Sequence, residues 1–168
     1  MNIEYNQLID RVVSYDETGS IHCESFVPDS ALIFENHFPG NPIIPGAILI
    51  EMMAQAGGYM YMRRTQFEKM AYLAAVRSAK FKRFASPGIK LSLKSSLNHI
   101  GDGYIVSDSK IYDSDESQVI ASSQLMLKLH DFQSPDMKEQ FRQIYSAASQ
   151  GKIKYRGAES SNDIITDT

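Results

Sequence analysis

FENHFPGNPIIPGAILIEMMAQ, residues Phe34 to Gln55, decides the fold. Its first half is a loop stiffened by Pro39, Pro42 and Pro45, each of which fixes φ and lacks a backbone donor. Its second half starts a helix just past Pro45-Gly46. Ile48, Leu49, Ile50, Met52, Met53, Ala54, Tyr59, Met60 and Met62 place apolar side chains nearly all round that helix axis. A helix without a polar face is buried on every side. The pattern therefore predicts one central, dry helix from Gly46 to about Phe67. It turns wet only at Arg63 and Arg64, where cations favour the C-terminal dipole.

Outward from this helix the pattern changes to period two. Leu8–Ser14 and Ile21–Val27 read as strands joined by the turn Asp16-Glu17-Thr18-Gly19. Beyond Lys69, strands are expected over Lys80–Phe84, Ile89–Lys94, Tyr104–Ser107 and Val119–Leu129. Pro87-Gly88 and Gly101-Asp102-Gly103 mark turns between them. A parallel βαβ arrangement needs helices alternating with strands, and residues 70 to 130 offer none. The expectation is an α+β fold in which a mostly antiparallel sheet wraps one apolar helix. A second helix is expected from Ser134-Pro135-Asp136, with proline allowed in the first turn. Met137, Phe141, Ile144 and Tyr145 form its apolar stripe. The chain thus divides into a main domain over 1–133, a C-terminal helix over 134–148 and a polar, flexible tail over 149–168.

Bulk properties exclude several classes of function. With 168 residues and a formal net charge of -3, the chain suits one domain and gives no electrostatic reason to bind nucleic acid. The single cysteine, Cys23, cannot form an internal disulfide, which favours a reducing, cytoplasmic setting. The N-terminus has no apolar core of a signal peptide, and Glu51, Gln55 and Gly57-Gly58 interrupt the longest apolar run, so no membrane span is expected.

The chemistry concentrates in the opening stretch. Glu51 is a carboxylate in an apolar helix, and burying an unpaired charge is costly. Either it is a general acid in a dry site or it forms a structural ion pair with a residue such as Arg11 or Arg77. Gln55, one turn on, is placed to hydrogen-bond it. His37 sits in the rigid loop, and a lone loop histidine is ordinarily solvated. Here the rigid backbone and the neighbouring helix start favour a chemical role. Free N–H groups at Gly46, backed by the helix dipole, suit a developing oxyanion. His22, His99 and His130 have no partners at metal-ligand spacing, and no cluster suggests a metal. Cys23 reads as a small core residue. Met52, Met53, Met60 and Met62 read as core filling or as the lining of an apolar tunnel.

His37-Phe38-Pro39-Gly40-Asn41-Pro42, then Pro45-Gly46, then Glu51 and Ala54-Gln55, closely resembles the signature of the FabZ-type 3-hydroxyacyl-[acyl-carrier-protein] dehydratases. Leu8-Ile9-Asp10-Arg11-Val12, Ala79-Lys80-Phe81-Lys82-Arg83 and Pro87-Gly88 extend the likeness, which covers roughly residues 5 to 130. The resemblance implies a hotdog fold, a curved antiparallel sheet wrapped round a long helix. It also implies homodimers, often assembled into hexamers, with each active site built from two chains. No metal or organic cofactor is implied. On this chain His37 would be the base and Glu51 of the partner the acid. Gly46 would supply the oxyanion N–H, the carbonyl of Ile43 would orient His37, and Gln55 would support Glu51. The implied reaction is loss of water from a 3-hydroxyacyl thioester on acyl carrier protein, a partner that Arg63, Arg64, Arg77, Lys80, Lys82 and Arg83 could dock. Asn36, where the family commonly has glycine, and the C-terminal helix and tail suggest a relative with a specialised substrate. A hotdog thioesterase using Glu51, or an acyl-binding subunit without turnover, remain the alternatives.

Overall fold

In a computed structural model of the chain, residues 1–3 and 6–151 are described. The strands are β1 (Arg11–Asp16), β2 (Ser20–Phe26), β3 (Met70–Phe81), β4 (Lys90–Gly101), β5 (Tyr104–Tyr112) and β6 (Val119–His130). The helices are α1 (Leu32–Asn36), α2 (Gly46–Arg64) and α3 (Pro135–Ser149). All six strands form one sheet in the order β1-β2-β4-β5-β6-β3, and every neighbouring pair is antiparallel. The sheet curves around α2, which is the hotdog arrangement. Bulges at Leu73/Ala75 and Val76/Ser78 in the β3–β6 ladder, and at Leu97/His99 in β4–β5, bend the strands.

Alternation explains which face meets the helix. Ile21 and Cys23 of β2, Leu91 and Leu93 of β4, Ile105 and Ile111 of β5, and Leu125 and Leu127 of β6 are all buried with Met52, Met53 and Met60 of α2. Gly57 allows the closest approach. A Cβ there would lie 2.9 Å from Ser107 Oγ and 3.2 Å from Leu127 Cδ1, so any side chain would push α2 off the sheet.

Several sequence expectations are corrected. The central helix ends at Arg64 rather than near Phe67. It is also not dry all round: Ala47 is exposed, and Ile48, Ile50, Glu51 and Gln55 are half-buried. The strand before β4 begins at Met70, ten residues earlier than expected. Its residues are mostly exposed because it lies at the sheet edge, so burial imposes no alternation on it. β1 begins at Arg11, while Leu8 and Ile9 precede it as buried chain. The single-turn helix α1 was not expected. Most of the tail expected over 149–168 lies outside the described residues.

The C-terminal helix forms with the expected stripe inward. Ser134 caps it, its Oγ accepting from Met137 N at 3.1 Å, and Pro135 occupies the first turn. Tyr145 and Ala148 are buried, with Phe141 and Ile144 packed against the core. Among the described residues, no helix is long and apolar enough to cross a membrane.

Candidate active site

Glu51 sits in the second turn of α2, on its half-open face. Among the described residues, its one hydrogen-bonding partner is Gln55, whose Nε2 donates to Glu51 Oε1 at 3.0 Å. Gln55 is itself fixed at both ends of its amide. Nε2 also donates to the Asn6 carbonyl at 2.8 Å, and Oε1 accepts from Leu8 N at 3.1 Å. The chain entering β1 therefore locks the Gln55 side chain, and Gln55 in turn aims the carboxylate. Among the described residues, Glu51 forms no ion pair with Arg11 or Arg77, the alternative the sequence left open. Arg11 Nε bonds Glu24 Oε2 at 2.9 Å, and Arg77 is exposed on β3 with no carboxylate partner among the described residues.

The carboxylate lines a cavity of about 510 Å³ between α2, the start of β3 and α3. Gly58, Tyr59, Met62, Met70 and Leu73 make most of that wall apolar, and among the described residues Glu51 is its single charged group. Met62 lines this cavity, while Met52, Met53 and Met60 fill the core. A larger cavity, about 770 Å³, is lined by serines and lysines of the sheet and holds neither Glu51 nor His37.

His37 ends α1, and its ring stacks on Phe38 with centroids 4.4 Å apart. The loop that follows is closed by backbone bonds. Asn41 N donates to Phe38 O at 3.0 Å, and Ile43 N donates to His37 O at 3.1 Å. Ile44 N then ties the loop to Ala85 O at 2.8 Å. Ile43 thus meets His37 through its N–H and the His37 carbonyl. Among the described residues, the His37 imidazole itself accepts and donates no hydrogen bond. His37 is half-buried.

Gly46 opens α2 behind Pro45, and no side chain caps that first turn. Its first N–H groups are therefore left for a ligand. A Cβ on Gly46 would lie 3.0 Å from the Phe81 ring, so glycine is what lets the end of β3 cover the helix start. Phe81 was read from the sequence only as a strand residue, and nothing local marked this contact 35 positions away.

Within one chain, the loop and the acid do not share a cavity. None of residues 34–46 lines the Glu51 cavity, whereas Phe34, Pro39, Gly40 and Pro42 border a separate hollow of about 650 Å³.

The other histidines are occupied elsewhere or exposed. His22 Nε2 lies 2.8 Å from Ser92 Oγ, which donates to Glu116 Oε1 at 2.7 Å. Burial holds His22 below the usual histidine range, against the pull of Glu116. Among the described residues, no group of His, Cys, Asp or Glu is arranged to hold a metal ion.

Comparison with known proteins matches residues 3–122 to the FabA-like domain family. The 3-hydroxyacyl-[acyl-carrier-protein] dehydratase FabZ of Latilactobacillus sakei is 38% identical over 96 residues, covering 56% of this chain and 69% of that protein. FabZ of Lactobacillus helveticus is 33% identical over 126 residues, covering 73% and 82%. FabZ of Campylobacter fetus is 33% identical over 132 residues, covering 74% and 87%. Among solved structures, a hypothetical protein of Staphylococcus aureus superposes with a TM-score of 0.60 at 14% identity, covering 77% of this chain and 98% of that one. A hypothetical thioesterase of Streptococcus pneumoniae with coenzyme A gives 0.57 at 15%, covering 74% and 88%. At such identities these two structures speak to the hotdog fold alone.

Proposed function

This chain belongs to the FabA-like family, and from that membership we propose that it removes water from (3R)-3-hydroxyacyl thioesters on acyl carrier protein, giving trans-2-enoyl thioesters. The observation that carries this reading is Glu51, among the described residues the single charge of a mostly apolar cavity, aimed by Gln55 through a network that includes no ion pair.

The acidity of the substrate sets what the site must supply. The hydrogen alpha to a thioester carbonyl is only weakly acidic, so a base and a stabilised enolate oxygen must act together. His37 takes the alpha proton. The uncapped Gly46 N–H holds the thioester oxygen as charge builds on it. Glu51 delivers a proton to the beta hydroxyl, which leaves as water while the C2–C3 double bond forms. His37 then holds one proton and Glu51 lacks one, and exchange between them or with water restores both.

His37 and Glu51 do this work as residues of two chains in a homodimer. The separation of the His37 loop from the Glu51 cavity supports that arrangement. So does the edge strand β3, which exposes Leu73, Val76 and Phe81 by 38%, 43% and 49%. Joining β3 of two copies would satisfy an open sheet edge and cover the side of the cavity that Leu73 forms. A hexamer would be three such dimers, and sedimentation separates the two states. The lone buried Cys23 fits the cytoplasmic setting of this reading.

The test is turnover of a 2-enoyl thioester, measured as reversible hydration. His37→Ala and Glu51→Gln should each lose about 10²–10⁴-fold, the usual worth of a positioned acid or base. Mixing the two inactive variants under subunit exchange should restore about a quarter of the wild-type sites, because each mixed dimer carries one intact His37/Glu51 pair. Full activity in either variant refutes the assignment, and no recovery on mixing refutes the two-chain site. A thioesterase would need only a carboxylate to activate water, which leaves the His37 loop without a task. Release of free thiol is therefore not expected, and an acyl-binding subunit without turnover would have no use for either group.

A further inference from the structure

Helix α3 lies beyond residue 122, where the match to the family domain ends, yet it reaches the Glu51 cavity. Its placement is firm. The Tyr145 ring meets Tyr59 edge-on at 5.6 Å and Phe67 at 5.7 Å, the Arg142 guanidinium lies 5.8 Å from the Phe67 centroid, and Arg142 Nη2 donates to Gln66 O at 3.2 Å. Phe132 packs on Phe141 at 6.1 Å from the other side. These contacts leave Phe141 and Ile144 in the wall of the cavity that Glu51 enters from α2.

The cavity follows one face of α2 from Glu51 through Gln55 to Tyr59 and Met62. Glu51 and Tyr59 are eight residues apart, about 12 Å along the axis. A zigzag alkyl chain covers that distance in roughly ten C–C bonds. The polar groups Glu51, Gln55, Asn6 and Gln7 lie toward one end, and the buried Tyr59 ring, against which α3 docks, lies toward the other.

We propose that α3 is the end wall of the acyl channel, and that Phe141 and Ile144 set the longest acyl chain accepted, at medium length. The proposal rests on the dehydratase reading for what enters the channel. Its physical basis is steric. A chain that stops short of Phe141 gains apolar burial with each methylene. A longer chain must displace α3 and break its contacts with Tyr59 and Phe67.

The test is kcat/KM on a ladder of straight-chain 3-hydroxyacyl thioesters, for wild type, Phe141→Ala, Phe141→Leu and Ile144→Trp. Tyr145 and Arg142, which anchor α3, are untouched, and circular dichroism checks that each variant is folded. Phe141→Ala should leave short substrates within about twofold and extend the profile to longer chains, with about fourfold lower KM for each further methylene buried. Phe141→Leu should do so weakly, and Ile144→Trp should cut the profile shorter. An unchanged profile in Phe141→Ala and Ile144→Trp overturns the proposal, as does a loss uniform across all lengths. A wild type that turns over no thioester refutes the dehydratase reading instead. The wall is then read from displacement of an apolar fluorescent probe by saturated fatty acids of increasing length. The same shift between variants would sustain it, and identical ladders would overturn it.

Discussion

Replacing Gln55 by alanine tests how Glu51 is held. The amide makes three hydrogen bonds: 2.8 Å to Asn6 O, 3.1 Å from Leu8 N and 3.0 Å to Glu51 Oε1. The Asn6 carbonyl is exposed and can turn to water, so losing that bond costs little. Leu8 N precedes a side chain with no solvent exposure, and leaving such a donor unpaired costs about 1–3 kcal/mol. Stability in urea should therefore fall by about that amount, read as a lower midpoint at constant m. The bond to the carboxylate governs activity. A hydrogen bond to a charged group is worth roughly 1.5–3 kcal/mol. If half of that orienting energy is expressed in the transition state, kcat falls about four- to twelvefold while KM moves little. Gln55→Glu separates the two effects. It keeps an acceptor for Leu8 N but sets a second carboxylate against Glu51, so the pair must hold a shared proton. Stability should then suffer less than in Gln55→Ala, while the alkaline limb of the kcat profile, where the acid must keep its proton, moves upward in pH. An alanine variant with kcat within twofold of wild type, or a glutamate variant with an unmoved pH profile, would refute the claim that Gln55 aims Glu51.

Two further outcomes follow from charge and burial. Lys82 and Arg83 are exposed just past β3, next to the Ala85 anchor of the His37 loop. Lys82→Glu/Arg83→Glu should raise KM for carrier-protein substrates about tenfold at low salt, lose that effect at high salt and leave small thioesters unaffected; an equal change for both substrates refutes the docking role. Arg63 and Arg64 should matter less, since Arg63 lies over the Tyr15 ring and Arg64 donates to Glu17 O. Burial pushes the Cys23 thiol up to about 12 from its ordinary 9.0. Its neutral form is thus common to both states below pH 9.0, and above it the unfolded chain sheds the proton first, so stability falls by about 1.4 kcal/mol per pH unit from this group. Raised tyrosines such as Tyr59 and Tyr145 add to that decline, so the check is the difference between wild type and Cys23→Ala from pH 9 to 12. Identical slopes would refute it.

What could be read from the sequence is what depends on neighbours along the chain or on uniform burial. The central helix was legible because Met52, Met53 and Met60 mark it as core. Gln55 was legible as a partner of Glu51 because four residues is one helical turn. The inward stripe of α3 was legible for the same periodic reason. The first ten residues of β3 were not, because period two is a signature of one buried face and this edge strand has almost none. Nor could spacing show that Leu8 and Asn6 fix Gln55 across 47 and 49 positions. That Arg11 does not pair with Glu51 also needed the structure, which gives Arg11 to Glu24 instead. The sequence could not show that α3 enters the cavity, since an apolar stripe says that a helix packs, not on what.

The half-open face of α2 has a physical logic once the edge strand beside it is considered. Tyr72 and Leu73 of β3 line the same cavity as Glu51, so the open sheet edge and the open side of the site are one feature. In the proposed dimer a single event removes both. Pairing the edges satisfies backbone groups that are otherwise left to water, and it excludes water from around the carboxylate. Charges interact more strongly in such a dry site, so an acid and an oxyanion donor gain catalytic worth as the chains assemble. A monomer would hold Glu51 in the right rotamer but in the wrong medium and without a histidine. This accounts for the fixed Gln55 network in the isolated chain. Orientation is built within one chain, where hydrogen bonds with Leu8 and Asn6 set it, whereas in the proposed dimer dryness and the base would arrive with the second copy. Activity should accordingly follow the concentration of assembled chains rather than of folded ones.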